Sequence, residues 1–227
     1  MPKEQQAIDF NKIKKTFTQG LPKGRCVLSH EDEPTNSRHK LEYSVKKPDG
    51  TPLLQAKIIL TPEDVFIASI KLHQSKNLRL QKLGIGKKLL QNIMQIAQDL
   101  DRPEISLVAN DMGCYAWPRA GFAQSRESWC EGSLRECISE RLYSKTIPAE
   151  DRQALEQFLR NSTDPKDLWF IADSLHGREL LIDQGFRATL RRDDPETMQR
   201  FAAYTALSPL QQAAIDKKFT QAIGAAR

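Results

Sequence analysis

Two glycines in a basic loop are the residues of this sequence that point most directly to chemistry. Gly84 and Gly86 stand in the stretch 78–98, LRLQKLGIGKKLLQNIMQIAQ, just before an uninterrupted amphipathic run. The window around them holds six basic residues and no acidic one: Lys71, Lys76, Arg79, Lys82, Lys87 and Lys88. A helix that begins at such a loop offers backbone N–H groups and the positive end of its dipole, and both favour a phosphate. The alternative is a tight strand-to-helix turn with solvated lysines.

Two nucleotide-binding motifs fail at this loop. The dinucleotide fingerprint G-x-G-x-x-G requires a third glycine at the position of Leu89. The P-loop requires a glycine at the position of Gln81 and a serine or threonine at the position of Lys88. The loop therefore predicts an anion-binding turn of another kind.

The residues around this loop resemble the GNAT acetyltransferase superfamily. QKLGIG at 81–86 fits the Q/R-x-x-G-x-G/A loop of that family, which follows a long strand and precedes a helix. The next strand and helix, ISLVANDMGCYAWPRAGF, carry further family positions at the family's spacing: Asn110, Gly113, Trp117, Gly121 and Phe122. The resemblance covers about residues 41–125, which is over a third of the chain.

The resemblance implies acetyl-CoA as co-substrate and no metal. The backbone of Ile70, Lys71 and Leu72 would pair with the pantetheine arm, and Asn110 would bond that arm or an ordered water. Trp117 would be a wall against the cofactor, and Lys76, Arg79 or Lys82 would meet the adenosine phosphates. The pyrophosphate would be held by the loop and the start of the helix: Gln81, Lys82, Leu83, Gly84, Ile85, Gly86 and Lys87.

The general acid and base are the points where the sequence departs from the family. Trp117 stands where the family often has a tyrosine, and an indole N–H is no useful acid at neutral pH. Tyr115 is the candidate acid, although two residues along a helix turn a side chain by about 200°. Glu63 and Asp64, just before the strand core, are the candidate bases. The alternatives are packing for Tyr115 and Trp117, and solvated loop acids for Glu63 and Asp64.

We therefore expect an acyltransferase that moves an acetyl group from acetyl-CoA directly to an amine in a ternary complex. The acceptor is a protein, a small molecule or an aminoacyl-tRNA. One alternative is a non-catalytic CoA-binding or protein-interaction module on the same fold, favoured by Trp117. Another is a helical nucleic-acid or scaffold protein in which the loop is only a turn. Oligomeric state does not follow from the sequence.

The amino-acid composition is consistent with an acyltransferase that binds an anionic co-substrate. The 227 residues carry a net charge of +5, which favours anionic partners without requiring nucleic acid. No apolar run approaches the roughly 20 residues of a membrane span, and the scattered histidines give no metal-ligand spacing. The four cysteines form no C-x-x-C pair, so we expect reduced thiols and a cytoplasmic protein.

The elements predicted from periodicity fit an α/β (α+β) fold. We expect a helix over 4–19, a strand at RCVLS, a loop over 30–40 and a meander of at least three strands over 40–72. In the last of these strands, alternation places Phe66, Ala68, Ile70 and Leu72 on one face. A helix over about 86–99 and a buried strand at RPEISLVAN follow. A short helix comes next, and Pro118 limits how far it runs.

The domains predicted are a core acetyl-CoA-binding region over 1–129, a helical insertion over 130–185, and a returning strand with C-terminal helices over 186–227, packed as one domain with the core. Asp194 and Pro195 predict a helix start, and Ser208 and Pro209 predict another. The resemblance implies a mixed, mostly antiparallel sheet with a splayed parallel strand pair. GFAQSRES at 121–128 would be one more of its strands.

Overall fold

The chain folds as two compact units in a computed structural model that describes residues 8–33, 36–46, 49–73, 84–144 and 147–206. One unit comprises Met1–Ile105 with Thr205–Arg227, and the other comprises Ser106–Tyr204. The elements of the first unit are α1 (Phe10–Thr18), β1 (Arg25–Glu33), β2 (Asn36–Lys46), β3 (Pro52–Leu60), β4 (Asp64–Leu72) and α2 (Ile85–Asp99). Strand β5 (Glu104–Ala109) begins in it.

The second unit is mainly helical. It contains the rest of β5, followed by α3 (Gly113–Arg119), α4 (Arg126–Glu131), α5 (Leu134–Ser144), α6 (Ala149–Asn161), α7 (Asp167–Asp173), α8 (Gly177–Leu181), β6 (Phe186–Arg191) and α9 (Pro195–Thr205). Asp194 caps α9, because its carboxylate accepts from the backbone N–H groups of Glu196 and Thr197. The predicted helix start at Asp194 and Pro195 is therefore present.

The fold class is α+β, as predicted. Six strands form one mixed sheet in the order β1-β2-β3-β4-β5-β6, antiparallel apart from one parallel pair, with nine helices in the part of the chain described. The splay of the parallel pair and the domain limits at 129 and 185 stay predictions. The compact units divide within β5 instead.

The core of the first unit lies on one face of β2, β3 and β4. The predicted meander over 40–72 is present, and Leu41, Tyr43 and Val45 alternate along β2 with all three side chains buried. The ladder pairs them with Ile58, Ala56 and Leu54 of β3. Helices α1 and α2 cover this face through the buried residues Ile13, Phe17, Leu89, Ile93 and Ile96, and the ring of Phe17 meets that of Tyr43 edge-on at 6.3 Å between centroids.

An extra residue in β4 changes which of its side chains face the core. Lys57 pairs with Ser69 but Ile58 pairs with Ile67, so Ala68 is left without a partner in the β3 ladder. Val65 and Ile67 before this bulge share the core face with Ile70 and Leu72 after it. The predicted single face of Phe66, Ala68, Ile70 and Leu72 is wrong, because a bulge shifts the alternation by one residue.

The predicted loop over 30–40 is also wrong. Strand β1 runs to Glu33 and β2 begins at Asn36, so most of this polar stretch is a hairpin. Its register places Glu31 opposite Arg38 and His30 opposite His39. Apolar residues do not alternate along this polar stretch, so periodicity predicted no strand here.

GFAQSRES forms no strand. Only Ala123 pairs, in a single antiparallel bridge with Thr189, and Ser125 then caps α4 by accepting from the Ser128 N–H at 3.1 Å. The cap starts a helix where the resemblance implied a strand. Helix α3 continues through Pro118 and ends at Arg119. Because the helix ends there, the proline removes only one hydrogen bond.

Asn92 joins the two helices of the first unit. Its buried side-chain amide donates to the backbone oxygens of Phe17 at 3.1 Å and Gln19 at 2.9 Å, at the C-terminal end of α1. These carbonyls lack intrahelical donors, so the amide replaces bonds that water cannot supply in a packed interface.

We predict that Asn92→Ala lowers the free energy of unfolding by about 2–3 kcal/mol, because two carbonyls at a buried helix end lose their donor. Chemical denaturation followed by circular dichroism measures this. Gln95→Ala on the exposed side of α2 is the matched control and should change stability by less than about 0.5 kcal/mol. Equal effects of the two substitutions would show that Asn92 has no special role.

Candidate functional site

The start of α2 has the geometry of an anion-binding turn. Gly84 precedes the helix with φ 75° and ψ 10°, a left-handed conformation that favours glycine. The first intrahelical bond runs from the Lys88 N–H to the Gly84 oxygen at 2.9 Å, so the N–H groups of Ile85 and Gly86 precede it. Among the described residues no side chain caps this helix, and its first turn holds no acidic residue. The positive end of the helix is therefore not offset by a carboxylate of that turn.

Gly86 is not explained by the packing described. A Cβ built on it meets no atom within 4 Å in the described part of the chain, and its φ does not lie in the left-handed region. Glycine inside a helix costs up to about 1 kcal/mol relative to alanine. The fold thus gives no reason for glycine here, whereas a ligand that approaches the backbone closely would give one.

The two lysines after Gly86 have separate contacts within the first unit. The Lys87 ammonium donates to the backbone oxygen of Ala206 at 3.3 Å. The Lys88 side chain crosses Gly20, where an added Cβ would lie 2.7 Å from Lys88 Cε. Both side chains are half-buried, so positive charge is held beside the start of α2 by packing.

At the end of β4, successive backbone N–H groups point alternately toward β3 and away from it. The His73 N–H donates to the Leu53 oxygen at 2.9 Å, and Leu54 lies opposite Leu72. In an antiparallel ladder this makes Leu72 and Ile70 non-hydrogen-bonded partners of β3, while Lys71 bonds it. The N–H groups of Ile70 and Leu72 therefore point to the other edge of β4. Lys71 has its backbone turned to β3 and its side chain exposed.

The two candidate bases lie at the opposite end of β4. The Asp64 carboxylate accepts from the Thr61 hydroxyl at 2.6 Å, and the Glu63 N–H donates to the same hydroxyl at 3.2 Å. Asp64 is six residues from Ile70, or about 20 Å along the strand. The structure gives Asp64 a role in the β3–β4 turn, and the catalytic role of both acids stays a prediction.

Asn110 ends β5 with a side chain open to solvent. Its backbone oxygen accepts from the Gly113 N–H at 2.8 Å and so begins the turn into α3. The side-chain amide makes no hydrogen bond within the described residues, and its oxygen lies 3.8 Å from where a Cβ on Gly185 would be. The amide is therefore available to a ligand of the second unit.

Trp117 packs against its own helix. A Cβ on Gly113 would lie 2.6 Å from the Trp117 indole nitrogen, and the indole meets the Phe122 ring at 5.4 Å between centroids. Glycine at 113 is required by this packing. The structure accounts for Trp117 through contacts within the second unit, and its role as a cofactor wall stays a prediction.

Tyr115 lies on a different side of α3 from Trp117. Its hydroxyl accepts from Arg119 Nη1 at 3.0 Å, and the Arg119 guanidinium lies over its ring at 5.3 Å. Asp173 binds Arg119 at 3.5 Å and Arg200 at 2.6 Å. Because α3 is helical, Tyr115 does not reach the side that Trp117 occupies. Arg119 is a site neighbour that the sequence analysis did not name, and its spacing of four residues from Tyr115 was the available signal.

The loop residues before Gly84 lie outside the described residues. The predicted roles of Gln81, Lys82 and Leu83, and those of Lys76 and Arg79, stay predictions. Of the predicted cofactor residues, the structure describes Ile70, Lys71, Leu72 and Gly84, Ile85, Gly86, Lys87 in the first unit, and Asn110 and Trp117 in the second.

Cys114 is a packing residue. Its side chain is fully buried, its sulfur accepts from the Gly185 N–H at 3.4 Å, and burial raises the pKa of its thiol. A raised thiol pKa means less thiolate at any given pH, and the thiolate is the nucleophile. This disfavours an acyl relay through Cys114.

We predict that Cys114 resists alkylation in the folded protein near neutral pH. The exposed Cys130 is the internal control and reacts under the same conditions. Cys114 should begin to react only at a higher pH than Cys130, because its thiolate forms at higher pH. Mass spectrometry of peptides after iodoacetamide pulses measures both sites, and labelling of Cys114 as fast as Cys130 would contradict the assignment.

Comparisons with protein-family models, curated proteins and solved structures found no match to this chain. Within the described residues, no three or more His, Cys, Asp or Glu side chains are grouped so that they would hold a metal ion. The described helices include none with the length and apolarity needed to cross a bilayer.

Proposed function

We propose that this chain is an acyltransferase that moves an acetyl group from acetyl-CoA to an amine. Gly86 is the observation that carries the proposal, since the described fold gives no reason for a glycine there and a pyrophosphate at the start of α2 would. The resemblance of QKLGIG to a CoA-binding loop supports the same ligand. Positive charge from Lys87 and Lys88 beside this turn favours an anion.

The edge of β4 turned away from β3 supports the binding of an extended arm. In the strand order β5 follows β4 on this side, so the arm would pair where the two strands splay apart, as the resemblance implies. The N–H groups of Ile70 and Leu72 point to that edge, and an extended ligand with amide groups can pair with them as an added strand does. The same N–H groups would polarise a thioester carbonyl placed against them. Lys71 contributes to this edge by its side chain only, because its backbone bonds β3.

Direct transfer needs little general acid–base catalysis from the side chains of the protein. The amine attacks the thioester carbonyl, the tetrahedral intermediate collapses, and the thiolate leaves with the proton that the amine gives up. Alignment of the two substrates is itself a large rate effect. Buried Cys114 has a raised pKa, so a covalent acyl-cysteine is disfavoured. Tyr115, Glu63 and Asp64 remain the candidate acid and bases of this proposal.

The acceptor is proposed only as an amine of a protein, a small molecule or an aminoacyl-tRNA. We place the reaction in the cytoplasm. The four cysteines are free thiols, which suits a reducing compartment.

We predict that Gly86→Ala stabilises the fold but weakens acetyl-CoA binding. Alanine meets no described neighbour and favours the helix, so the free energy of unfolding should rise by about 0.5–1 kcal/mol. The methyl group would intrude on the pyrophosphate, so affinity should fall about tenfold or more, or ~1.4 kcal/mol. Calorimetric titration and chemical denaturation measure the two effects.

Gly86→Glu extends this test, because a carboxylate at that position should abolish binding by repulsion. The exposed Gly50→Ala, at the β2–β3 turn, is the binding control. Unchanged affinity in Gly86→Glu would reject the phosphate site, and a loss of stability in Gly86→Ala would show that the fold itself requires the glycine.

We predict release of free CoA thiol when acetyl-CoA and an accepted amine are both present. If Tyr115 is the acid, Tyr115→Phe lowers kcat several-fold while acetyl-CoA affinity is kept. Tyr143→Phe is the matched control, because Tyr143 is an exposed tyrosine of α5. Full turnover by Tyr115→Phe from neutral to alkaline pH would exclude Tyr115 as the acid. Binding without thiol release across a broad amine panel would favour the non-catalytic module.

A further inference from the structure

Strand β1 is an open edge of the sheet. It has nine residues, Arg25–Glu33, and lies at the end of the strand order with β2 as its only strand neighbour in the described part of the chain. Arg25, Val27 and Ser29 are exposed, and Val27 retains 39% of its accessible surface. An edge strand of this length, with no second strand beside it among the described residues, is a template for another strand.

The charges of β1 are arranged with opposite signs at its two ends. Arg25 begins the strand, two residues after Lys23, and the strand ends in the acidic run Glu31, Asp32 and Glu33. Charges of one sign along an edge strand prevent pairing between copies. Opposite signs at opposite ends act differently: they repel a parallel copy and attract an antiparallel one.

We propose that β1 pairs with β1 of a second copy of this chain, antiparallel and around a two-fold axis at Ser29. This register overlaps the whole strand and sets Arg25 of each copy opposite Glu33 of the other, while the two Ser29 residues face each other. A two-fold axis makes every contact occur twice, so the dimer contains two Arg25–Glu33 pairs. Val27 lies opposite position 31 and loses part of its exposed surface.

The dimer joins two sheets into one continuous sheet. Backbone hydrogen bonds supply the affinity, and the charges at the strand ends select the orientation and the register. Salt screens attraction between opposite charges, so the association should weaken as the salt concentration rises.

Charge exchange at the strand ends tests the pairing. The protein should show a concentration-dependent dimer by sedimentation velocity over about a hundredfold range of concentration. Arg25→Glu makes both ends acidic and should raise the dimer dissociation constant about tenfold or more, while the double variant Arg25→Glu/Glu33→Arg should restore it. Far-UV circular dichroism checks that each variant is folded. A monomer throughout the range overturns the proposal, whether the edge is left to water or covered by another segment of the same chain.

Cross-linking tests the register separately. Ser29→Cys, in a background with Cys26→Ser and Cys130→Ser, should give a dimer linked between the two positions 29 with a short bismaleimide. Glu42→Cys, exposed on neighbouring β2, is the matched control and should not link. A dimer that resists Arg25→Glu, or that links at position 42 as readily as at 29, would overturn the pairing through β1.

Discussion

The one-residue bulge of β4 at Ala68 is the constraint on which the first unit depends. Without it, the register before the bulge would continue, and Lys71 would lie opposite Leu54 on the face that α1 and α2 cover. A charged side chain there would be partly desolvated on the apolar face, which costs free energy unless the charge is paired. With the bulge, Ile70 and Leu72 join the apolar face, and Lys71 reaches solvent.

The same bulge decides what the backbone of β4 offers to a ligand. Side-chain alternation and hydrogen-bond alternation in a strand are locked together, so a shift of one residue changes both. The position of Ile70 and Leu72 on the core face therefore goes together with their N–H groups pointing away from β3. The apolar core and the polar edge proposed for the pantetheine arm are two results of one insertion.

The parts of the fold that the sequence predicts well are those with a buried stripe and a defined start. Helix α2 begins within one residue of the prediction because Gly84 and a wide apolar face mark it, and α6 lies within the stretch 130–185 that was predicted to be helical. The hairpin of β1 and β2 was missed because the polar stretch 30–40 shows no alternation of apolar residues. The β4 bulge was missed because VFIASIKL alternates well enough to conceal an inserted residue. Tyr115 and Arg119 were four residues apart in the sequence, but only the structure shows the contact between their side chains.

Three glycines near the candidate site residues differ in whether the fold explains them. Gly84 is required by its left-handed backbone, and Gly113 by the Trp117 indole that occupies its Cβ position. Neither needs a ligand to account for it. Gly86 has a helical backbone, a Cβ built on it would meet no atom within 4 Å in the described residues, and alanine would favour the helix more. A tight strand-to-helix turn explains Gly84, but the described packing does not explain Gly86. Gly86 therefore supports the proposed phosphate site more strongly than the motif as a whole.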